Sequence, residues 1–172
     1  MSARQNLGTP SSRLPRATAC AEYYFRQRFR VPAAYAFRWC IDFTPYDWGS
    51  AGRHGSRKVA WLSPSTVLLD DTFPASGGRR VRKVKLVQVY PRTRSWVSNH
   101  IVGPNRHSQF RYSISADGPG ASVLLFEGRE LRWQRPALSP RAVRALAARL
   151  RDEDSRLWKE FAAEMEREYS SR

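Results

Sequence analysis

Residues Ser139–Tyr169, SPRAVRALAARLRDEDSRLWKEFAAEMEREY, decide the fold that we predict for this chain. Ser139 is a favourable N-cap and Pro140 suits the first helical position, so the pair marks the start of a helix. Arg141 to about Tyr169 then predicts one amphipathic helix, roughly 43 Å long at 1.5 Å per residue. Its apolar stripe, at spacings typical of a helix face, consists of Val143, Leu146, Leu150, Leu157, Phe161 and Met165.

Two kinds of partner would cover this apolar stripe. A dimeric coiled coil needs a stripe that is sustained over several heptads. The stripe here extends over only about four turns, and Asp154 interrupts it. We therefore expect the helix to pack on a sheet of its own chain.

The residues before the helix have the alternating pattern that is typical of strands. Connections rich in Gly, Pro, Ser or Asn separate six runs: 58–62, 66–73, 81–90, 95–102, 107–115 and 122–133. Such short connections join antiparallel neighbours, so the runs predict a six-stranded meander. A seventh strand, Glu22–Val31, has arginines on one face, and on the other it places Tyr23, Phe25, Phe29 and Val31.

Two short helices are predicted between the first strand and the meander. Pro32 stops the strand, and Ala33–Phe43 carries apolar side chains at helical spacing. Thr44 and Pro45 resemble a second helix start, which would run through Trp48. The complete prediction is an α+β fold, a seven-stranded curved antiparallel sheet that grips the long C-terminal helix. It occupies residues 21–170, and residues 1–20 are expected to form a flexible basic tail.

The formal net charge of +15 bears on the partners of the protein. Such a field attracts nucleic acid, an anionic membrane surface or an acidic protein partner. The cations are almost all arginines, and they are spread along the whole chain instead of forming one block. Specific nucleic-acid binding is therefore the weaker interpretation.

The cellular compartment and the cofactors are predicted from features that the sequence does not contain. No apolar run approaches the roughly twenty residues of a membrane span, and residues 1–19 contain no apolar core of a secretory signal. Cys20 and Cys40 do not have the spacing of a zinc site, and free thiols are favoured over a disulfide between them. We expect a cytoplasmic protein without a metal or a cofactor.

The order of the elements resembles the helix-grip fold of the START, Bet v 1-like and polyketide cyclase proteins, often grouped as SRPBCC. The opening is similar to that family's entry into its first helix, an aromatic strand ending at Val31 and followed by Pro32–Trp39. The late strand and the long helix with aromatic and acidic residues over Phe161–Tyr169 fit as well, so the resemblance covers about Glu22 to Tyr169. It implies a pocket between sheet and helix for a lipid, sterol, polyketide or quinone-like molecule. It supplies no catalytic residue.

Aromatic side chains are the clearest indication of a site, because they make rigid cavity walls and stack on ring systems. Several of them cluster near the short helices and the expected inner face of the sheet, Tyr46 among them. His100 shares a strand face with Trp96 and Ser98, where it would offer a polar contact or a general base. The predicted ligand-binding residues are Trp39, Phe43, Trp48, Trp61, Trp96, His100 and Tyr112.

Buried carboxylates are the second candidate feature. One of Asp70 and Asp71 must point inward in a regular strand. In the last strand, Glu127 and Glu130 lie on opposite faces, and an inward carboxylate would need a partner, for which Arg111 or Arg129 is available.

Three functions remain open at this point. The first is binding, with or without transport, of a small hydrophobic molecule. The second is an aromatase/cyclase type of enzyme, which would need His100 with an inward Asp or Glu. The third is a nucleic-acid-binding domain, which would need aromatics and arginines on one exposed face.

Overall fold

The computed structural model describes residues 19–45, 55–74, 76–133 and 136–171. Within these residues the two α-helices are α1 (Ala33–Ile41) and α2 (Pro140–Ser170). The strands are β1 (Ala19–Phe29), β2 (Ser56–Ser63), β3 (Thr66–Pro74), β4 (Arg80–Tyr90), β5 (Ser95–Val102), β6 (Gln109–Ala116) and β7 (Ser122–Arg132).

The strands form one antiparallel sheet in the order β1-β7-β6-β5-β4-β3-β2. The meander from β2 to β7 is the one predicted, and it ends beside the first strand. Phe29 of β1 pairs with Ser122 of β7, and Ala19 pairs with Arg132. The first strand therefore begins before Glu22, within the segment that the sequence assigned to the tail. Residues 1–18 of that segment lie outside the described residues.

The inner face of the sheet holds the core together with one stripe of α2. Tyr23, Phe25 and Phe29 of β1 are buried, while Tyr24 between them is 72% exposed, as the alternation predicted. α2 packs on β1 more extensively than on any other strand. Its buried side chains are Leu146, Leu150, Trp158, Ala162 and Met165.

The start of α2 is as predicted, because the Ser139 hydroxyl accepts a hydrogen bond from the Ala142 amide at 3.2 Å. Asp154 does not interrupt the buried stripe, however, and that interpretation was wrong. It lies between Leu150 and Trp158 on the buried side of the helix, where Tyr23 Oη donates to Asp154 Oδ2 at 2.6 Å. This bond satisfies a carboxylate that would otherwise be costly to bury, although burial still raises its pKa.

The segment after β1 is only partly as expected. Pro32 precedes α1, which ends at Ile41 and buries Tyr35 and Phe37. The second predicted helix, from Thr44 through Trp48, falls largely on residues 46–54, which lie outside the described residues. None of the described helices has the length and apolar character that crossing a membrane requires.

Gly128 of β7 allows a close approach between two rings. A Cβ at this position would lie 2.7 Å from Tyr23 Cε1 and 2.9 Å from Phe126 Cε1. The Tyr23 ring cannot retreat without weakening its bond to Asp154. We expect Gly128→Ala to lower the free energy of unfolding by about 1–3 kcal/mol, measured by urea denaturation. Gly120→Ala, where a Cβ would meet nothing within 4 Å, is the control and should cost much less.

Candidate ligand-binding site

A cavity of about 830 Å³ lies between α1, the second half of α2 and the inner face of β2 to β6. Among the described helices, α2 lies mainly over β1, so it leaves space beside the far half of the inner face. The apolar part of the wall is formed by Cys40, Ile41, Leu69, Val87, Trp96, Tyr112, Trp158 and Phe161. Its volume is within the range of small-molecule sites.

Aromatic contacts fix the shape of this wall. Trp96 of β5 and Tyr112 of β6 stack with ring centroids 4.7 Å apart and planes inclined by 5°. Trp158 of α2 packs on both, with centroid distances of 6.4 Å to Trp96 and 5.8 Å to Tyr112. Phe43 and Trp61, whose centroids are 6.3 Å apart, form a second pair where the cavity opens. Since Trp61 is 50% exposed, part of this aromatic surface faces solvent.

Five of the seven predicted site residues lie around this cavity: Trp39, Phe43, Trp61, Trp96 and Tyr112. Trp48 lies outside the described residues, as does Tyr46. His100 is on the predicted face of β5, but it is not among the residues that line the cavity. The spacing of aromatic residues along the strands and α1 shows which of these side chains share a face, and this was sufficient to select the five residues.

His100 lies two residues beyond Ser98 along β5, and its side chain contacts Asn105 and Phe110, which do not line the cavity. Its Nδ1 is 3.0 Å from Asn105 Oδ1, and its ring packs on Phe110 with centroids 4.7 Å apart. Burial lowers the pKa of His100 to about 4, against the opposing effect of the Asn105 hydrogen bond. The imidazole is therefore neutral at physiological pH, and its described partner is an amide and not a carboxylate.

The floor of the cavity contains a buried charged cluster that the sequence only partly indicated. Asp71 of β3 points inward and is fully buried, whereas Asp70 faces outward, so one of the two is inward as expected. Arg57 of β2 binds Asp71 through Nε–Oδ1 at 2.7 Å and Nη2–Oδ2 at 3.3 Å. Lys85 of β4 approaches Asp71 Oδ2 to 2.6 Å. Both cations line the cavity.

Electrostatics within this cluster favour the ionised form of Asp71. Burial opposes the charge of Asp71, but hydrogen bonds and charge from Arg57 and Lys85 prevail and lower its pKa to about 2. Burial also lowers the pKa of Lys85, and the Asp71 charge acts in the opposite direction. Arg57 and Lys85 were missed as site residues because the sequence does not show the register in which β2 and β4 pair with β3.

The inward glutamate has a partner that differs from the prediction. Glu130 is the buried one of the β7 pair, and its partner is Arg132 of the same strand, at 2.5 Å. Arg129 instead binds Glu22 on the outer face, at 2.9 Å. The proposal of Arg111 or Arg129 as its partner was wrong, because both arginines lie on the outer face of the sheet, where Arg111 pairs with Glu127 at 3.8 Å.

The opening of the cavity is held by a contact between the helices. Trp39 Nε1 of α1 donates to Glu168 Oε2 of α2 at 2.8 Å, and Trp39 packs edge-on against Phe161. Among the described residues, Arg38, Asp42 and Glu164 are further charged residues that line the cavity. Cys40 contributes a thiol whose pKa is raised by burial, so it is a poor nucleophile.

Comparisons with known proteins bear on the fold. No protein-family model matches the chain, and no curated protein matches it in sequence. Solved structures do match. The Zhui aromatase/cyclase from Streptomyces sp. R1128 superimposes with a TM-score of 0.69 at 11% identity, over 87% of this chain and 95% of that one. A START superfamily protein from Mycobacterium smegmatis gives a TM-score of 0.64 at 16% identity, over 85% and 97%.

Ara h 8.0201 is a third similar structure, with a TM-score of 0.61 at 11% identity over 88% of this chain and 97% of that one. The superposition covers at least 95% of each of these three structures, so each has nearly the same length as the part of this chain that it matches. The chain has the helix-grip fold of the START and Bet v 1-like proteins. In this helix-grip chain the cavity lies where the resemblance implied it, between the sheet and the long helix. At these identities the likeness concerns architecture, and ligand and reaction depend on the cavity's own residues.

Proposed function

We propose that this helix-grip protein binds a small hydrophobic molecule such as a lipid, a quinone or a polyketide in the cavity. The observation that supports this most is the aromatic wall formed by Trp96, Tyr112 and Trp158, three large side chains that leave open space beside them. An empty apolar space costs stability unless something occupies it, so retaining one in a core this aromatic favours an occupant.

The cyclase alternative needs an acid and a base that converge on the bound molecule. Its proposed base was His100, whose Nδ1 is bound to Asn105 and whose ring is not part of the lining. Asp71 is the buried carboxylate beside the cavity, and it is held ionised between Arg57 and Lys85. It is a weak base with a pKa of about 2, so binding without turnover accounts better for the groups at this site.

The proposal is tested by titration with N-phenyl-1-naphthylamine, a neutral apolar fluorophore. Several tryptophans line the cavity, so a bound naphthyl ring should quench their emission. We expect saturable binding with a stoichiometry close to one. Weak, unsaturable uptake would contradict an internal site and would point to adsorption on the exposed surface.

Ser98→Trp places a large side chain in the cavity and should weaken the binding of this probe by at least about tenfold, which corresponds to about 1.4 kcal/mol. Ser98 is 5% exposed and lines the cavity from the middle of β5. Asn99→Trp is the matched control, because the neighbouring side chain points to the opposite face of the sheet. Equal losses in both variants would mean that the probe does not enter the cavity.

A further inference from the structure

The indole N–H groups of the cavity wall lead to an inference about the ligand, which rests on the proposed function. Trp96 and Trp158 are 4% and 9% exposed, and both line the cavity. Neither N–H has a hydrogen-bond acceptor among the described residues. By contrast, Trp39 donates to a carboxylate at 2.8 Å and Trp133 to a backbone carbonyl at 3.0 Å. A buried indole usually has such a partner, so Trp96 and Trp158 are exceptions.

Two hydroxyl groups belong to the same part of the wall. Ser98 is 5% exposed and follows Trp96 on the inner face of β5, and Tyr112 is directly opposite Trp96 on β6. Both residues line the cavity, and within the described part of the chain neither hydroxyl has a hydrogen-bond partner. Burial raises the pKa of Tyr112, and the charge of Asp154 acts in the same direction. The phenol is therefore protonated at physiological pH and can donate.

The chemistry of these side chains defines the kind of partner that a ligand must offer. An indole N–H can donate but cannot accept, and a hydroxyl can donate to the same kind of atom. A pure hydrocarbon in the cavity would exclude water from these donors without replacing its hydrogen bonds, which is unfavourable. A carbonyl oxygen accepts through two lone pairs and brings no further donor into the wall. The donors therefore favour a ligand that carries carbonyl oxygen.

We propose that the ligand is a planar ring molecule with carbonyl oxygens, and that these oxygens accept hydrogen bonds from Ser98 and Tyr112 inside the cavity. The rings of the molecule lie against the aromatic wall. The indole N–H groups of Trp96 and Trp158 are further donors available to it. The two hydroxyls orient the molecule and select carbonyl compounds over hydrocarbons of the same shape, because a hydrocarbon leaves both donors unsatisfied.

The test compares 9-fluorenone with fluorene, two rigid molecules with the same rings, of which the first has a carbonyl group where the second has a methylene group. Each competes with N-phenyl-1-naphthylamine on the full chain. We expect the wild-type protein to bind fluorenone at least about threefold more tightly than fluorene, as one net hydrogen bond would give. The double variant Ser98→Ala/Tyr112→Phe keeps the aromatic rings. It should lower the affinity for fluorenone at least about threefold and that for fluorene less than about twofold.

Tyr24→Phe/Ser113→Ala is the matched control, because it removes the same two hydroxyls from the outer face of the sheet. Tyr24 is exposed on β1, and Ser113 follows Tyr112 on β6, so its side chain points to the opposite face. Circular dichroism and a thermal melt on each variant exclude unfolding as the reason for lost binding. Equal wild-type affinities for fluorenone and fluorene would mean that water satisfies the donors, and would overturn the inference, as would equal effects of the two double variants. Binding of the fluorophore in the same samples would then leave the proposed function intact, and its absence would overturn both.

Discussion

Asp71→Asn should lower the free energy of unfolding by about 3–5 kcal/mol, since it leaves Arg57 and Lys85 buried without their shared counter-charge. The Asp71 side chain is 1% exposed and receives bonds at 2.7 Å from Arg57 and 2.6 Å from Lys85. An amide of the same shape keeps the packing but offers one oxygen without a charge. Urea denaturation at neutral pH measures the loss.

Asp70→Asn is the matched control for this variant. Asp70 is the preceding residue, it has the same charge, and it binds Arg82 at 2.7 Å on the outer face. The Arg82 side chain is 61% exposed, and such surface pairs contribute at most about 1 kcal/mol. Losses of similar size in the two variants would show that the inward position of Asp71 has no special importance.

The pH dependence provides a separate check on Asp71. Its folded pKa of about 2 lies below its ordinary value of 3.8. Its contribution to stability is therefore complete above about pH 4 and is lost as the pH falls toward 2. The difference in unfolding free energy between wild type and Asp71→Asn should shrink over this interval. A difference that stays constant from pH 6 to pH 2.5 would contradict the assigned role of the carboxylate.

Phe126→Ala is the second variant with a large expected effect, a loss of about 3–5 kcal/mol. Phe126 is 2% exposed on the inner face of β7. Its ring stacks on Phe25 with centroids 4.6 Å apart, and it meets Tyr112 edge-on at 5.1 Å. Removing it opens a space in the centre of the core that the neighbouring rings, fixed on β1 and β6, cannot close.

Leu125→Ala is the corresponding control, because Leu125 is the adjacent residue of β7 and lies half-buried on the opposite face. It should cost clearly less. Thermal and urea denaturation of both variants provide the comparison. A loss below about 1.5 kcal/mol for Phe126→Ala would mean that the core repacks around the gap, against the rigid aromatic arrangement described above.

The sequence was sufficient for the strands and for the long helix because alternation and turn residues are local signals. The predicted apolar stripe of α2 included Leu157 and not Trp158, whereas Trp158 is buried and Leu157 is only half-buried. A helix wheel shows which residues share a face but not which part of that face meets the sheet. Asp154 appeared to be a break for the same reason, since its partner Tyr23 is 131 residues away.

The site was predictable in its aromatic part and not in its charged part. Trp39, Phe43 and Trp61 could be selected because large aromatic side chains near the border between a sheet and a helix usually pack at that border. The cluster of Arg57, Asp71 and Lys85 depends on the register of three strands, which is a property of pairing. His100 lies on the same face of β5 as Trp96, as predicted. The alternation of apolar and polar residues cannot predict the bulge between Val84 and Lys85 or the hydrogen bond between His100 and Asn105.

The pairing of β1 with β7 also has a consequence for biosynthesis. A ribosome must complete β7 and most of α2 before Tyr23, Phe25 and Phe29 find their native contacts, so β1 emerges long before it is protected. We therefore expect β1 to reach its native contacts late and, because many contacts are distant in sequence, folding to be slow. During that interval the arginines that alternate with these aromatics, Arg26 and Arg28 among them, act as gatekeepers that oppose aggregation of the nascent strand.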